Sequence, residues 1–274
     1  MKNIRSIILT LAFLGFMGAE AQVTPGYLGK KFAVGYHYSG MLTLPLGFMD
    51  NERLSENLWT FNHFLDAEYV VAKEWSLVAS FGYSGMQNRL LTNLTYEFDA
   101  AFNPNFNPNN QSAEYWNAFS PEEYSAAYFD MNTFYLDLGY KRHKEFAAPV
   151  GKHSGWKLRL AFSNNRSMDL VTSQGNSYTL PSFKRTDLGL VYEFGTTYIL
   201  WDRMYVDLFG EFGLMLSGIG SAFQEDDFYF GPSAYEGTSA EALSIIEDDF
   251  KDSMAKRVFY QNLFNFGIKI GILP

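Results

Sequence analysis

The sequence predicts an all-β fold, an antiparallel up-and-down transmembrane β-barrel of about eight strands, with one short helix in the last external loop. Three observations predict it. Runs of two-residue alternation recur along the chain, an export-type leader precedes them, and no apolar stretch of helix-spanning length follows that leader. A segment crossing lipid must satisfy every backbone N–H and C=O without water, which only helices and closed sheets achieve. A barrel of this size also fits 274 residues as one domain.

Residues 1–21 carry a basic start (Lys2, Arg5), an apolar run from Ile7 to Met17, and small residues at Ala19 and Ala21. That order matches a cleavable signal peptide, with cleavage expected before Gln22. The run is shorter than the roughly 20 residues a spanning helix needs. The expected organisation is therefore a signal peptide over 1–21 and an outer-membrane barrel domain over 22–274. Loss of the leader takes the formal charge from −9 to −10, because Lys2, Arg5 and Glu20 leave with it. An acidic exported chain argues against nucleic acid as a partner. The absence of cysteine excludes disulfides and a lipidated N-terminal cysteine. The 26 Phe, 18 Tyr and 5 Trp suit a lipid-facing surface and interfacial girdles.

Strand one is expected over 31–41, alternating Phe32, Val34, Tyr36 and Tyr38 with Ala33, Gly35, His37 and Ser39. Strand two, about 57–72, places Trp59, Phe61, Leu65 and Tyr69 opposite Thr60, Asn62, Asp66 and Glu68. A tight turn at Lys73–Glu74 leads into strand three, about 75–86, where Trp75, Leu77, Phe81 and Tyr83 oppose Ser76, Ser80, Gly82 and Ser84; two such runs so closely joined form a hairpin. Residues 87–126 read as an elaborate loop, because the Asn/Pro-rich stretch from Phe102 to Pro108 favours turns. Strand four, about 128–142, sets Phe134, Leu136, Leu138 and Tyr140 against Thr133, Tyr135, Asp137, Gly139 and Lys141. Strand five, about 155–164, sets Trp156, Leu158, Leu160 and Phe162 against Lys157, Arg159 and Ala161. Strand six, about 186–200, opposes Leu188, Leu190, Tyr192, Phe194 and Tyr198 to Asp187, Gly189 and Glu193. A turn at Trp201–Asp202–Arg203 opens strand seven, with Val206, Leu208, Phe212 and Leu214 opposite Tyr205, Asp207, Glu211 and Gly213. Strand eight alternates Val258, Tyr260, Phe264, Phe266, Ile268, Ile270 and Ile272 with Gln261, Asn265, Gly267, Lys269 and Gly271.

Connections at one end are short and at the other long, the pattern of periplasmic turns and external loops in outer-membrane barrels. Trp75, Trp156 and Trp201 fall at the short-turn end and form an expected periplasmic girdle; three core tryptophans of a soluble protein is the competing reading. Alternation alone does not separate a membrane barrel from a soluble one. Glycines on the polar face (Gly35, Gly82, Gly139, Gly189, Gly213, Gly267, Gly271) favour a polar interior, since they relieve crowding in a narrow barrel.

The final strand, Asn265-x-Gly267-x-x-Ile270-x-Ile272, resembles the C-terminal signal by which bacterial assembly machinery recognises outer-membrane barrels. It has isoleucine where aromatic residues are usual and runs on through Leu273 to Pro274. With the Ala19-x-Ala21 site, the eight amphipathic runs and the asymmetric loops, the chain resembles an OmpA/OmpX-like outer-membrane barrel of the Bacteroidota type. That resemblance implies location in the cell outer membrane, contact with its lipid, and no catalytic motif. Its members range over adhesins, anchors, conduits, lipid enzymes and secretion accessories.

Inward charges are expected at Asp66, Glu68, Asp137, Lys141, Lys157, Arg159, Asp187, Glu193, Asp207, Glu211 and Lys269. In a barrel just wide enough for side chains they form an ion-paired plug, or else a hydrated path whose acidic excess favours cations. Four histidines (His37, His63, His143, His153) are the ready proton carriers near neutral pH. His37 and Ser39 share the inner face, the one pairing that points toward nucleophilic chemistry of a lipid-modifying enzyme. Residues 239–256 read as a helix, either covering the barrel mouth or presenting a docking face, and Glu225-Asp226-Asp227 reads as a solvated acidic run or a cation-binding patch. No phosphate loop, zinc-ligand spacing or nucleophile elbow is present, and neither a cofactor nor a metal is expected. The leading expectation is a non-enzymatic barrel acting through its external loops in binding, adhesion or as an accessory of a membrane complex. Tyr115, Trp116, Phe119, Tyr124, Phe228, Tyr229, Phe230 and Tyr235 are the expected contact residues for a protein partner, because aromatics bury much surface at low entropy cost.

Overall fold

A computed structural model of the chain describes residue 26 and residues 29–42, 59–89, 128–144, 148–166, 168–171, 177–180, 182–201, 203–219 and 239–274. The leader, the acidic run 225–227 and the eight aromatic loop residues named above lie outside the described residues.

The chain forms β1 (Phe32–Leu42), β2 (Trp59–Val70), β3 (Trp75–Arg89), β4 (Tyr128–His143), β5 (Gly151–Asn165), β6 (Met168–Val171), β7 (Ser177–Leu180), β8 (Lys184–Trp201), β9 (Met204–Met215), helix α1 (Ser239–Leu263) and β10 (Asn265–Ile272). Eight of the strands close an antiparallel barrel in the order β1-β10-β9-β8-β5-β4-β3-β2. The first and last strands pair from Val34↔Ile272 to Gly40↔Phe266, so the sheet has no free edge. β6 and β7 form a separate hairpin between β5 and β8. Their four-residue length gives too short an alternation to be read from sequence.

Short turns join β2 to β3, β4 to β5 and β8 to β9, and both barrel termini lie at that end. The exterior is apolar. Leu65, Leu77, Phe81, Leu138, Leu158 and Ile270 project outward and are exposed, while the alternate residues of the same strands are buried. Left in water, a continuous apolar wall of this kind is unfavourable; against lipid tails it is the low-energy arrangement. Every long strand hydrogen-bonds on both sides, which meets the backbone requirement of a bilayer.

The interior has two zones. Toward the short turns it is filled by charged and polar side chains. Toward the long loops it is filled by an apolar cluster in which Phe250, Met254, Val258 and Phe259 of α1 pack against barrel residues including Met86, Phe129, Met131 and Phe183. This differs from the expectation at two points. The helix runs past 256 to Leu263, and its C-terminal half is buried within the barrel instead of lying across the mouth. Val258 and Tyr260 accordingly belong to α1, not to the last strand, which begins at Asn265. Val258 lies one helical turn after Met254 and two residues before Tyr260, so it fits both periods, and the apolar wall inside the barrel supplies the burial that decides it.

Asn265 ends the helix. Its side chain donates to the Gln261 carbonyl at 2.8 Å, satisfying one of the carbonyls that a helix C-terminus leaves open. Glycine is required where aromatic rings lie flat on the inner wall. A Cβ on Gly82 would overlap the Phe64 ring, and one on Gly267 would overlap Phe209.

Candidate functional site

The most concentrated chemistry in the described residues is the charged zone of the lumen. Asp66, Glu68, Asp137, Lys141, Lys157, Arg159, Asp187, Glu193, Asp207, Glu211 and Lys269 are all buried on the inner face. The register brings them together from most of the barrel strands. Asp137 lies opposite Arg159, Asp207 opposite Lys269, and Glu193 opposite Glu211.

Arg159 organises the upper layer. Its Nε and Nη2 donate to Asp137 Oδ1 and Oδ2 at 2.8 and 2.6 Å, a bidentate pair, and Nη2 also reaches Glu211 Oε2 at 3.3 Å. Nη1 donates to Asn262 Oδ1 of α1 at 2.6 Å. The same guanidinium stands 4.9 Å from the Phe64 ring centre and 5.2 Å from that of Tyr135, so it caps the apolar plug with a cation–π face. Lys157 bridges Glu211 and Glu193, the latter at 2.7 Å. Lys269 pairs with Asp66 at 2.8 Å, beside His37.

The lower layer gathers Glu68, Lys141, His143, His153, Glu193 and Asp207. Lys141 pairs with Glu193 and lies 3.7 Å from both Glu68 and Asp207. His153 Nε2 is 2.9 Å from Asp207 Oδ1, and His143 Nε2 is 3.1 Å from Glu68 Oε1. Strand boundaries hid both histidines from the sequence reading, because β4 ends at His143 and β5 begins at Gly151, not at 155. Extending the odd-numbered inner parity of either strand would have found them.

Further polar groups tie α1 into the wall. Asn88 Nδ2 donates to Ser253 Oγ at 2.8 Å, and Gln261 Nε2 to Asn62 Oδ1 at 3.3 Å. Arg257 donates to the Gln87 carbonyl at 3.0 Å and to Thr60 Oγ1 at 2.8 Å. No carboxylate among the described residues pairs with it. Asp187 forms a separate pair with Arg185 at 2.8 Å, near the long loops.

The groups that pointed toward catalysis do not assemble for it. His37 is fully buried, its ring stacked on Phe64 at 4.7 Å and edge-on to Phe209 at 4.4 Å. Its Nδ1 faces Asp66 Oδ2 at 3.4 Å, but Ser39 Oγ has no hydrogen-bond partner, so the imidazole does not engage that hydroxyl. Ser76 is closer to a triad, 3.1 Å from His143 Nε2, but it donates to Glu68 at 2.7 Å and the His143 Nδ1 that a third residue would orient is unpartnered. His63 lies on the outer face against the Tyr36 hydroxyl.

Trp75, Trp156 and Trp201 project outward from the barrel. Trp75 opens β3, its ring 5.5 Å from Tyr140 and topped by the Arg142 guanidinium at 5.7 Å. Trp201 closes β8. Trp156 sits part-way along β5, 4.9 Å from Tyr192, deeper than expected because that strand starts earlier. Trp59, at the long-loop end of β2, is exposed alongside Phe61.

The fold is a closed eight-stranded antiparallel barrel with an apolar outside, a polar inside and the outer ends of β1 and β10 at the short-turn side. That is the architecture of OmpA/OmpX-like barrels. Solved structures with a similar course include Ail, the attachment invasion locus protein of Yersinia pestis, solved with the heparin analogue sucrose octasulfate (10% identity, 89% of this chain and 96% of that chain, TM-score 0.36). Others are Neisserial surface protein A (9%, 89% and 95%, 0.35) and the N-terminal β-barrel domain of Pseudomonas aeruginosa OprF (6%, 89% and 97%, 0.33). Neither a protein-family model nor a curated protein matches the sequence.

Proposed function

We propose that the protein is an outer-membrane barrel that acts without catalysis, through the long connections at one end, as a binding, adhesion or accessory component. Export by a cleaved signal peptide over residues 1–21 belongs to this reading, as does placement of the short turns in the periplasm. The observation that carries it is the filled lumen. Among the described residues, an ion-paired layer and a helix-borne apolar plug occupy the interior in series, which supports a closed lumen. What remains available to partners is the loop end, where Tyr115, Trp116, Phe119, Tyr124, Phe228, Tyr229, Phe230 and Tyr235 supply aromatic contact chemistry.

Planar-bilayer recording tests the closed lumen. The purified barrel is expected to insert without a stable unitary current, and a reproducible cation-selective current from the intact chain would replace this reading with a channel. Loop function is then tested by replacing residues 100–120 with a short Gly/Ser linker, which should abolish surface binding of the partner while leaving the barrel folded.

The bilayer position has its own test. In variants retaining one tryptophan each, bromine carried near the lipid headgroup is expected to quench Trp75 and Trp201 more strongly than bromine near the acyl-chain ends, with Trp156 showing the deeper profile. Equal quenching of all three from the chain ends would displace the proposed girdle.

A further inference from the structure

We infer that the lower lumen layer is a binding site for one divalent transition-metal ion of the zinc class, held by His153, Glu193 and Asp207. One donor atom from each lies within 4.8 Å of the others, and all three residues are buried. Imidazole with two carboxylates is a ligand set that suits zinc and its neighbours.

Charge balance points the same way. Six buried lumen carboxylates, Asp66, Glu68, Asp137, Glu193, Asp207 and Glu211, share four cations, Lys141, Lys157, Arg159 and Lys269, an excess of two negative charges. Asp207 and Glu68 are the least well served, each meeting Lys141 at 3.7 Å. Uncompensated buried charge is expensive. A divalent ion on His153, Glu193 and Asp207 supplies the two missing positive charges and leaves Lys141 to pair with Glu68.

Two independent features support a ligand. His153 Nδ1 is buried without a hydrogen-bond partner, 3.8 Å from Glu193 Oε1, while its Nε2 faces Asp207. His143, 5.7 Å away between ring centres, also has a buried, unpartnered Nδ1. The Lys141 ammonium lies against the same carboxylates as a tethered cation, and its flexible stem lets it withdraw toward Glu68. Donors must close to about 3–3.5 Å apart around bonds of about 2 Å, a contraction that relief of carboxylate repulsion favours. Glu68, the most exposed carboxylate of the layer at 10%, marks the entrance from the short-turn end.

The test uses the full mature barrel, folded in detergent and stripped with chelator, with zinc binding read by calorimetry and cobalt(II) by its visible absorption. One ion per chain is expected with micromolar or tighter affinity. His153→Gln should weaken binding by about a hundredfold or more, beyond the range typical of lost supporting contacts. Lys141→Met removes the competing cation and should tighten binding at least tenfold; if that variant folds poorly, zinc but not magnesium should restore folding, read as heat-modifiable gel mobility. The inference is overturned if folded wild-type barrel takes up no zinc, if folded His153→Gln binds as well as wild type, or if Lys141→Met neither gains affinity nor is rescued. Failure with zinc would leave the loop-based function untouched.

Discussion

Replacing Arg159 with methionine is expected to lower barrel stability by about 3–5 kcal/mol, the range seen when one partner of a buried ion pair is removed. Arg159 is among the largest fully buried side chains, and it makes four charge-assisted or amide hydrogen bonds to three partners. Without it, Asp137 and Glu211 share only Lys157, and Asn262 of α1 loses its anchor. The cost therefore comes less from the lost attraction than from carboxylates stranded in a medium that solvates them poorly. Urea titration of the folded barrel in vesicles, followed by gel mobility and tryptophan fluorescence, measures it. Arg159→Lys should lose an intermediate amount, because an ammonium cannot bridge both Asp137 oxygens and Asn262 in one plane. Arg159→Met combined with Asp137→Leu should recover most of the stability, since Glu211 keeps Lys157. A change under about 1 kcal/mol for Arg159→Met would show that the layer is hydrated and that its charges are screened.

This sensitivity explains how the barrel was readable from sequence while its interior was only partly so. Strand identity and orientation depend on a period-two pattern that lipid enforces residue by residue. Leu136, Leu138 and Tyr140 alternate with Tyr135, Asp137 and Gly139 in β4 because each outward position meets hydrocarbon and each inward position meets a neighbouring side chain. Which inward groups meet one another depends on register, and register is a property of strand pairs. Nothing near Asp137 in the sequence identifies Arg159 as its partner; the pairing follows once β4 and β5 are aligned. The histidines were lost for a simpler reason, since the segment from 143 to 154 contains Pro149 and looks like a loop until its ends are seen to extend the flanking strands.

The helix boundary failed differently. Residues 254–263 carry apolar groups at positions compatible with both a helix and a strand, and local sequence does not choose between them. The choice is made by the inner wall. Phe64, Met86, Met131, Tyr135 and Met215 are apolar or aromatic on a face expected to be polar, and their clustering toward one end creates a surface that α1 covers. Those residues, taken strand by strand, look like exceptions to alternation. Taken around the closed barrel, they line one socket.

The second large effect concerns that socket. Val258→Asp is expected to drive α1 out of the lumen while the barrel itself stays folded. Val258 is completely buried among aromatic and methionine side chains, and the guanidinium that borders this cluster, Arg159, is already committed to Asp137, Glu211 and Asn262. Burial of Phe250, Met254, Val258 and Phe259 contributes roughly 1.5–3 kcal/mol per side chain. An unpaired buried charge offsets several of these together. The barrel survives because its strand ladder closes through β1 and β10 without help from α1. The absence of native cysteine makes the displacement measurable with single introduced thiols. A cysteine at Ser163, buried on the β5 inner face near the long loops, should react with a water-soluble maleimide at least about tenfold faster in the Val258→Asp background. A cysteine at Ser80, which lies between Asp66 and Asp137 in the sheet, should stay protected in both backgrounds because the ion-paired layer persists. Current through the barrel should likewise remain absent after loss of the helix alone and appear only when Arg159 is also removed. Were the single Val258→Asp change enough to open a steady current, the charged layer would be a conducting filter, and the plug helix would be its gate.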